Sequence, residues 1–314
     1  MSAKLFNIRK YDDSFEFSAL LELYNKFNRY LNPAAIEVND AYALVILNND
    51  PDFLDNLLIF ETMENEIIGF AGIIKLPFSA NDKMVIYGLI PEYLESELPG
   101  EIIDAILNLG VNKSIPELYI QTAGELSKPF DDKLENLGFK PKHYYFFMDL
   151  DNFDLFSPPD IPEGIIIRDQ DEFKDSEQLK SIVFVVNEAF KDSFMFVDLK
   201  PRKWKKNLEA VKKNHTMEYA IAYESEKIVG FCNSYFNPDP GEIGVINTLS
   251  VLPSYHHRGI GSALFASRVE FLRDKGCKII NLAVDAKNEN ALRMYEKFGF
   301  YLKKNLTQKT YQLI

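Results

Sequence analysis

The sequence predicts an α/β protein made of two tandem domains. Three observations support this: apolar strand-like runs alternate with amphipathic stretches, several fragments recur at one offset, and a proline-rich segment lies midway along the chain. The 314 residues are 46% hydrophobic and 13% aromatic, which is enough apolar surface for two separate cores. Alternating strands and helices are typical of a sheet covered by helices.

The two halves of the chain share four fragments in the same order, separated by 159 to 162 positions. The pairs are Ile8-Arg9 with Ile167-Arg168, Ile67–Phe70 with Ile228–Phe231, Leu89–Tyr93 with Val251–Tyr255, and Leu134–Phe139 with Tyr295–Phe300. Any one match could be a common turn fragment. Four in order at nearly one offset indicate a duplicated domain.

The junction is expected where Pro158, Pro159 and Pro162 interrupt any periodic pattern, because proline breaks both helices and strand ladders. We therefore predict an amino-terminal domain over 1–150, a linker over 151–163 and a carboxyl-terminal domain over 164–314.

Within the second half, periodicity and stop signals predict a regular series of elements. The predicted strands are Gly164–Arg168, Tyr219–Tyr223, Lys227–Phe236, Val245–Val251, Lys278–Val284, Phe300–Lys303 and Thr310–Leu313, and the predicted helices are Glu177–Ala189, Trp204–Lys213, Ser262–Lys275 and Asn288–Phe298.

Composition limits the class of partner that this protein is expected to bind. A net charge of −12 argues against a nucleic-acid or anionic-membrane surface. The amino terminus lacks the apolar stretch of a signal peptide, and no apolar run is long enough to cross a membrane. Only Cys232 and Cys277 occur, too few for a disulfide framework or a thiolate metal site. We expect a cytoplasmic protein with a small-molecule partner and no metal.

A glycine-punctuated turn separates the predicted strand Val245–Val251 from the following helix. It consists of His256, His257, Arg258, Gly259, Ile260, Gly261 and Ser262. Glycine lets the backbone turn tightly, and the first amides of a helix have no partner within it, so they can bind an anion such as a pyrophosphate. The same pattern also serves plain tight packing.

The flanking elements resemble the GNAT superfamily of N-acetyltransferases over residues 219–314. The resemblance rests on Pro253-Ser254-Tyr255, the glycine turn, the strand ending at Val284, and the spacing of Asn288, Ala291, Tyr295 and Gly299-Phe300. It implies two GNAT-like domains, each a mixed, mostly antiparallel sheet flanked by helices. It also implies acetyl-coenzyme A as co-substrate, held by a loop pattern that falls on His256, Gly259 and Gly261. His256 replaces the usual Arg or Gln, and Arg258 supplies a cation nearby.

The resemblance assigns further roles. A bulge in strand Val245–Val251 would free backbone groups of Leu249, Ser250 and Val251 for the pantetheine arm and for the oxyanion. Tyr295 would be the general acid that protonates the departing thiolate, although its spacing equally fits a core tyrosine. Asn288 is predicted to cap its helix and, by resemblance, to lie beside the cofactor.

A general base is harder to assign. Asn247 and Thr248 do not titrate usefully, which leaves three carboxylates, Glu242, Asp285 and Glu188. A base is unnecessary if the amine arrives neutral.

The first half has lost the residues that carry this chemistry. Gly259 and Gly261 correspond to Glu97 and Pro99, among the acids of 95–101, Tyr295 corresponds to Leu134, and Asn288 to Ser127. Like charges would oppose a pyrophosphate there. This copy could form a wall of the acceptor pocket, stabilise the second half or bind something else.

The leading hypothesis is an acetyl-coenzyme A dependent N-acetyltransferase that acts on a small amine by direct attack, with one active site per chain. Two alternatives stay open. One is a non-catalytic acyl-coenzyme A binding protein, and the other is an acetyltransferase for a protein amino terminus or lysine.

Overall fold

The computed structural model describes residues 6–12, 14–33, 35, 37–38, 50, 52–75, 83–115, 117–238 and 242–313. The chain divides into two compact units, one formed by residues 1–145 with 304–314 and the other by residues 146–303. The elements in chain order are β1 (Asn7–Lys10), α1 (Phe17–Leu31), β2 (Leu57–Glu61), β3 (Ile67–Lys75), β4 (Lys83–Leu89), α2 (Leu98–Asn112), β5 (Leu118–Ala123), α3 (Lys128–Asn136), β6 (Pro141–Leu150), β7 (Ile165–Gln170), α4 (Ser176–Phe190), α5 (Pro201–Val211), β8 (Thr216–Glu224), β9 (Lys227–Phe236), β10 (Ile243–Val251), α6 (Ile260–Asp274), β11 (Ile279–Asp285), α7 (Glu289–Lys297) and β12 (Tyr301–Gln312).

The first unit is a mixed sheet. Strands β1 to β4 pair antiparallel in sequence order, β4 pairs parallel with β5, and residues 308–312 of β12 pair antiparallel with β5. A continuous apolar core that includes Phe27, Leu98, Ile102, Phe130 and Tyr311 fills the space between the strands and helices α1 to α3.

The second unit repeats this plan. Strands β7 to β10 pair antiparallel and β10 pairs parallel with β11. Helix α6 packs on one face of the sheet, where a Cβ on Gly230 would lie 2.7 Å from Leu264. Trp204 of α5 packs on the other face, with its ring 5.6 Å from that of Phe231. The predicted fold class, two mixed α/β domains, is confirmed.

Most predicted elements of the second unit are present, with two differences. Helix α5 begins at Pro201 instead of Trp204, since proline is well accommodated in the first turn of a helix. The two last predicted strands are a single strand, β12, because residues 304–309 contain neither glycine nor proline to interrupt it.

The division of the chain differs from the predicted one at both ends of the second half. Residues 146–150 belong to the second unit, where Met148 and Leu150 are fully buried in its core. Residues 304–314 belong to the first unit because the end of β12 pairs with β5. Strand pairing between segments distant in sequence has no local signal, and this explains why the sequence places the boundary at the prolines instead.

The proline-rich segment 151–163 packs against the second unit. Phe156 is buried and its ring lies 5.6 Å from that of Phe298. Pro162 lies close enough to Gly259 that a Cβ there would be 3.4 Å from its Cγ. The segment predicted as a linker is therefore part of a folded unit. No helix in the described part of the chain is long and apolar enough to cross a membrane.

A buried carboxylate holds residues 304–314 in the first unit. Asp131 accepts hydrogen bonds from Thr122 Oγ1 at 2.6 Å and Tyr311 Oη at 2.9 Å, and it pairs with Lys309 Nζ at 2.7 Å. An ionised carboxylate taken out of water needs such partners. This network explains how the carboxyl-terminal strand is held in its register.

We predict that Lys309→Met lowers the free energy of unfolding of the first unit by about 1–3 kcal/mol, because the buried Asp131 loses the cation that pairs with it. Lys128→Met is the matched control. It breaks an exposed ion pair with Asp132 and should cost less than about 1 kcal/mol. Urea denaturation followed by circular dichroism measures both, and equal effects would contradict the prediction.

Candidate active site

Strand β10 carries a bulge at its centre. Ile246 lies opposite Ser234 of β9, but Thr248 lies opposite Asn233, so Asn247 is an extra residue in β10. A bulge bends its strand and increases the local twist. The bulge expected from the resemblance is present at Asn247.

The bulge coincides with the end of pairing between β10 and β11. The parallel register runs from Ile243 opposite Ile279 to Val245 opposite Asn281 and extends no further. Beyond it, β10 continues to Val251 and β11 to Asp285. The two strands therefore separate towards their carboxyl ends and form a cleft.

Backbone alternation decides which groups of β10 face this cleft. Leu252 N donates to Val229 O at 2.9 Å, so alternate residues before it also point their polar groups at β9. Ser250 is one of these, and its hydroxyl donates to Phe231 O at 3.2 Å. The amides of Leu249 and Val251 face the cleft. Of the three residues expected to contribute backbone groups, Ser250 is thus directed away from it.

His256 follows the end of β10 and turns back onto it. Its ring Nε2 lies 3.0 Å from Val251 O, which ties the start of the glycine turn to the strand. The ring of His257 packs edge-on against that of His256 at 6.2 Å. Both histidines are exposed.

The glycine turn delivers unpaired amides to the mouth of the cleft. His257 and Gly259 both have left-handed backbones, with φ of 62° and 79°. The first bond into α6 runs from Ala263 N to Gly259 O at 3.0 Å, and no side chain caps the helix. The amides of Ile260, Gly261 and Ser262 precede that bond, an arrangement suited to an anion. The Ile260 side chain itself is buried in the core.

Arg258 forms an ion pair that the sequence does not predict. Its guanidinium donates to Glu224 Oε1 at 2.6 Å and stacks on Tyr255, whose hydroxyl donates to the other carboxylate oxygen at 2.7 Å. These two hydrogen bonds hold the pKa of Glu224 below its usual range, and the bond from Arg258 has the larger effect. Arg258 therefore links the glycine turn to the end of β8, and its guanidinium is paired with the carboxylate of Glu224.

Tyr295 lies on the α6 side of the sheet. It is buried, with its ring centre 4.8 Å from that of Phe265 and 6.2 Å from that of Phe300. Burial, and next the nearby Cys232, raises the pKa of its phenol well above the ordinary value. Core tyrosine and candidate acid are thus compatible descriptions. Asn288 caps α7 as predicted, with Oδ1 accepting from Ala291 N at 3.1 Å.

The three carboxylates considered as bases lie in different places. Glu242 precedes β10, about 30 Å of strand from Val251, and pairs with Lys278. Glu188 is half-buried on α4 beside Lys191. Asp285 ends β11 at the open end of the cleft, and its Oδ1 accepts from Lys287 N at 2.8 Å. Only Asp285 is near the cleft.

The corresponding strands of the first unit differ in other ways, although their parallel pairing also ends early, at Met84 opposite Tyr119. Strand β4 pairs with β3 in one unbroken register from Lys75–Lys83 to Gly69–Leu89, without a bulge. Tyr87, at the position of Leu249, donates from its hydroxyl to Gln121 O of β5 at 2.8 Å. Its side chain therefore reaches from β4 to β5 beyond the point where their backbone pairing ends.

Two positions at the start of α2 also offer no free amide to a ligand. Ser96 Oγ accepts from Leu98 N at 3.1 Å, and Pro99 has no N–H. Together with the acids of 95–101, these features make the start of α2 less suited to an anion than the start of α6.

Sequence reasoning missed the pairing of Arg258 with Glu224 and the bridging role of Tyr87. The repeat offset aligns Tyr87 with Leu249, so this second feature could have been found by comparing the two halves at each position. Nothing local predicts the first.

Comparison with known proteins is consistent with these features. Residues 183–300 match the model of the acetyltransferase (GNAT) family. Over 78 residues the chain is 35% identical to an uncharacterized N-acetyltransferase of Methanocaldococcus jannaschii, covering 24% of this chain and 34% of that protein. Over 80 residues it is 36% identical to a mycothiol acetyltransferase of Thermomonospora curvata, covering 26% of each. The chain thus spans about a third or less of the length of these relatives.

The fold similarity extends over the whole chain. A tandem GNAT protein from the clavulanic acid biosynthesis pathway has a TM-score of 0.73 at 13% identity, covering 98% of this chain and 97% of that one. At this identity the similarity establishes the fold alone.

We predict that Gly261→Glu abolishes the thermal stabilisation of the protein by acetyl-coenzyme A, because a carboxylate would compete for the α6 amides and repel a pyrophosphate. Gly261→Ala should keep it, since the added Cβ meets only Val251 Cγ2 at 3.7 Å. Gly100→Glu, in the first turn of α2, is the control for the substitution itself. Differential scanning fluorimetry with and without acetyl-coenzyme A measures all three. Unchanged stabilisation of Gly261→Glu would show that the anion binds elsewhere.

Proposed function

Because the carboxyl-terminal half of this chain belongs to the GNAT family of acetyltransferases, we propose that the protein transfers an acetyl group from acetyl-coenzyme A to the amine of a small molecule. The cleft between β10 and β11 carries this proposal. Its support is the cleft-facing backbone of β10, the unpaired amides at the start of α6 and the buried phenol of Tyr295 on the α6 side of the sheet.

The residues present fit acetyl-coenzyme A. The amides of Ile260, Gly261 and Ser262 would hold the pyrophosphate, and the cleft-facing backbone of Leu249 and Val251 would pair with the pantetheine arm. When bound, the co-substrate supplies a thioester carbonyl that is activated for acyl transfer.

An amide of Leu249 or Val251 would stabilise the charge that develops on the carbonyl oxygen. Such a donor is fixed in advance by the strand and acts where water is limited, conditions that make electrostatic stabilisation large. The hydrogen bond of His256 to Val251 O and the bulge at Asn247 hold this part of the strand in place.

Tyr295 would donate a hydrogen bond to the departing thiolate. Because burial raises its pKa above the ordinary value of about 10, the phenol stays protonated at neutral pH. Complete proton transfer to a thiolate, whose conjugate acid has a pKa of about 8.5, is then uphill. We infer that Tyr295 acts mainly by hydrogen bonding, with its proton shared in the transition state.

Direct attack by the amine is supported by the state of the cysteines. Burial raises the pKa of Cys232 to about 12 and that of Cys277 to about 11, so neither forms a thiolate near neutral pH. An acyl-cysteine intermediate is therefore disfavoured. Asp285 is the only one of the three carboxylates near the cleft. An amine that arrives neutral needs no base from this chain.

The proposed class of acceptor, a small molecule, is supported by one of the relatives. The relative in Thermomonospora curvata is a mycothiol acetyltransferase, which favours a small-molecule acceptor over a protein one. Turnover is tested by release of free thiol from acetyl-coenzyme A with a 2-amino sugar, a polyamine, a dipeptide and an arylamine. Thermal stabilisation without thiol release from any of them would favour a non-catalytic binding protein.

We predict that Tyr295→Phe keeps acetyl-coenzyme A binding and lowers kcat about 10- to 100-fold, because the phenol acts only on the leaving group. Tyr295 must be protonated to act as the acid. Because its pKa is raised, loss of activity through its ionisation is expected only at high pH. The wild-type profile of kcat should therefore show no descending limb below pH 10. A limb near pH 8–9 that disappears in Tyr295→Phe would contradict the assignment.

A further inference from the structure

We propose that Asn233 binds the amine substrate, its side-chain oxygen accepting a hydrogen bond from an N–H or O–H group of the acceptor. This inference rests on the proposed acetyl transfer and adds to it the residue that recognises the acceptor.

Asn233 lies on the face of the sheet opposite α6. Side chains alternate along β9, and Gly230 and Phe236 face α6, where they meet Leu264 and Phe271. Asn233 therefore shares the other face with Phe231, which packs against Trp204 of α5. Tyr295 packs on Phe265 of α6. The candidate acid and Asn233 are thus on opposite faces of one sheet.

The amide of Asn233 is fully buried without adequate partners. The residue is 0% exposed, its Oδ1 has no hydrogen-bond partner in the described part of the chain, and its Nδ2 approaches only the thioether sulfur of Met217 at 4.0 Å. A buried polar group without partners is costly. Asn25, another buried asparagine, has both ends of its amide bonded to the backbone of Val38, at 2.8 and 2.9 Å.

The position of Asn233 connects it to the cleft. It pairs with Thr248, the residue directly after the bulge, and Thr248 Oγ1 accepts from Asn247 Nδ2 at 3.3 Å. Neighbouring strands lie about 4.8 Å apart, so Asn233 is one strand from the point where β10 leaves β11. An acceptor on this face would reach the cleft from the side opposite Tyr295. The departing thiolate would leave towards Tyr295.

The chemistry at the bulge suits an uncharged donor. Asn233, Asn247 and Thr248 are all neutral and polar. A site that buries an unpaired carbonyl oxygen favours ligands that supply the missing donor and rejects analogues that lack it, because these leave the oxygen unpaired.

The test uses the full chain and the same panel of four amines. In Asn233→Leu, which keeps the branched shape of the side chain and removes the amide, the KM for the best amine should rise at least tenfold. The KM for acetyl-coenzyme A and its thermal stabilisation should stay within twofold of wild type. Asn233→Ser, a smaller polar replacement, provides the same comparison if the leucine variant does not fold.

Ser234→Ala is the matched control. Ser234 is also fully buried with an unpartnered hydroxyl, but it lies opposite Ile246, before the bulge, and on the α6 face. Its amine KM should not change.

An amine KM within twofold of wild type in the Asn233 variants would overturn the inference and leave the acetyltransferase assignment intact. So would parallel changes in both substrates' KM, which a purely structural role produces. Absence of turnover by the wild-type protein with every amine would instead overturn the proposed function, and this inference with it.

Discussion

The separation of β10 from β11 is the constraint on which the proposed site depends. One extra residue, Asn247, shifts the register against β9, and the parallel pairing with β11 ends at Val245. Backbone amides that a regular sheet would use internally are then left for a ligand. The roles proposed for the amides at the start of α6, the phenol of Tyr295 and the amide of Asn233 all depend on this cleft.

The two copies show that the frame and the chemistry are separable. Both units retain the parallel strand pair, the short turn after it and the helix that follows. The first unit has an unbroken β4, a tyrosine bridging β4 to β5, and a serine and a proline that remove amides from the start of α2. The ring of Tyr87 packs in the apolar core of the first unit, so the copy keeps its fold without the site.

The sequence predicts the parts of this structure that local patterns determine. The helix start marked by Asn288, the glycine turn and the repeat are all readable because capping and backbone conformation depend on a few adjacent residues. Pairing between distant segments is not readable in this way. The return of residues 304–314 to the first unit, the ion pair of Arg258 with Glu224 and the orientation of Ser250 depend on neighbours far away in the sequence. The bulge was expected only from family resemblance, since Asn247 carries no local signal for it.

The number of acetyl-coenzyme A molecules bound per chain tests the central claim most directly, because only the second unit combines a bulged strand with a helix start that lacks proline. Isothermal titration calorimetry of the full chain with acetyl-coenzyme A should give a stoichiometry of one. A stoichiometry of two would show that the first unit also binds, despite Tyr87 and its acidic turn, and would contradict the assignment of a single site to the second unit.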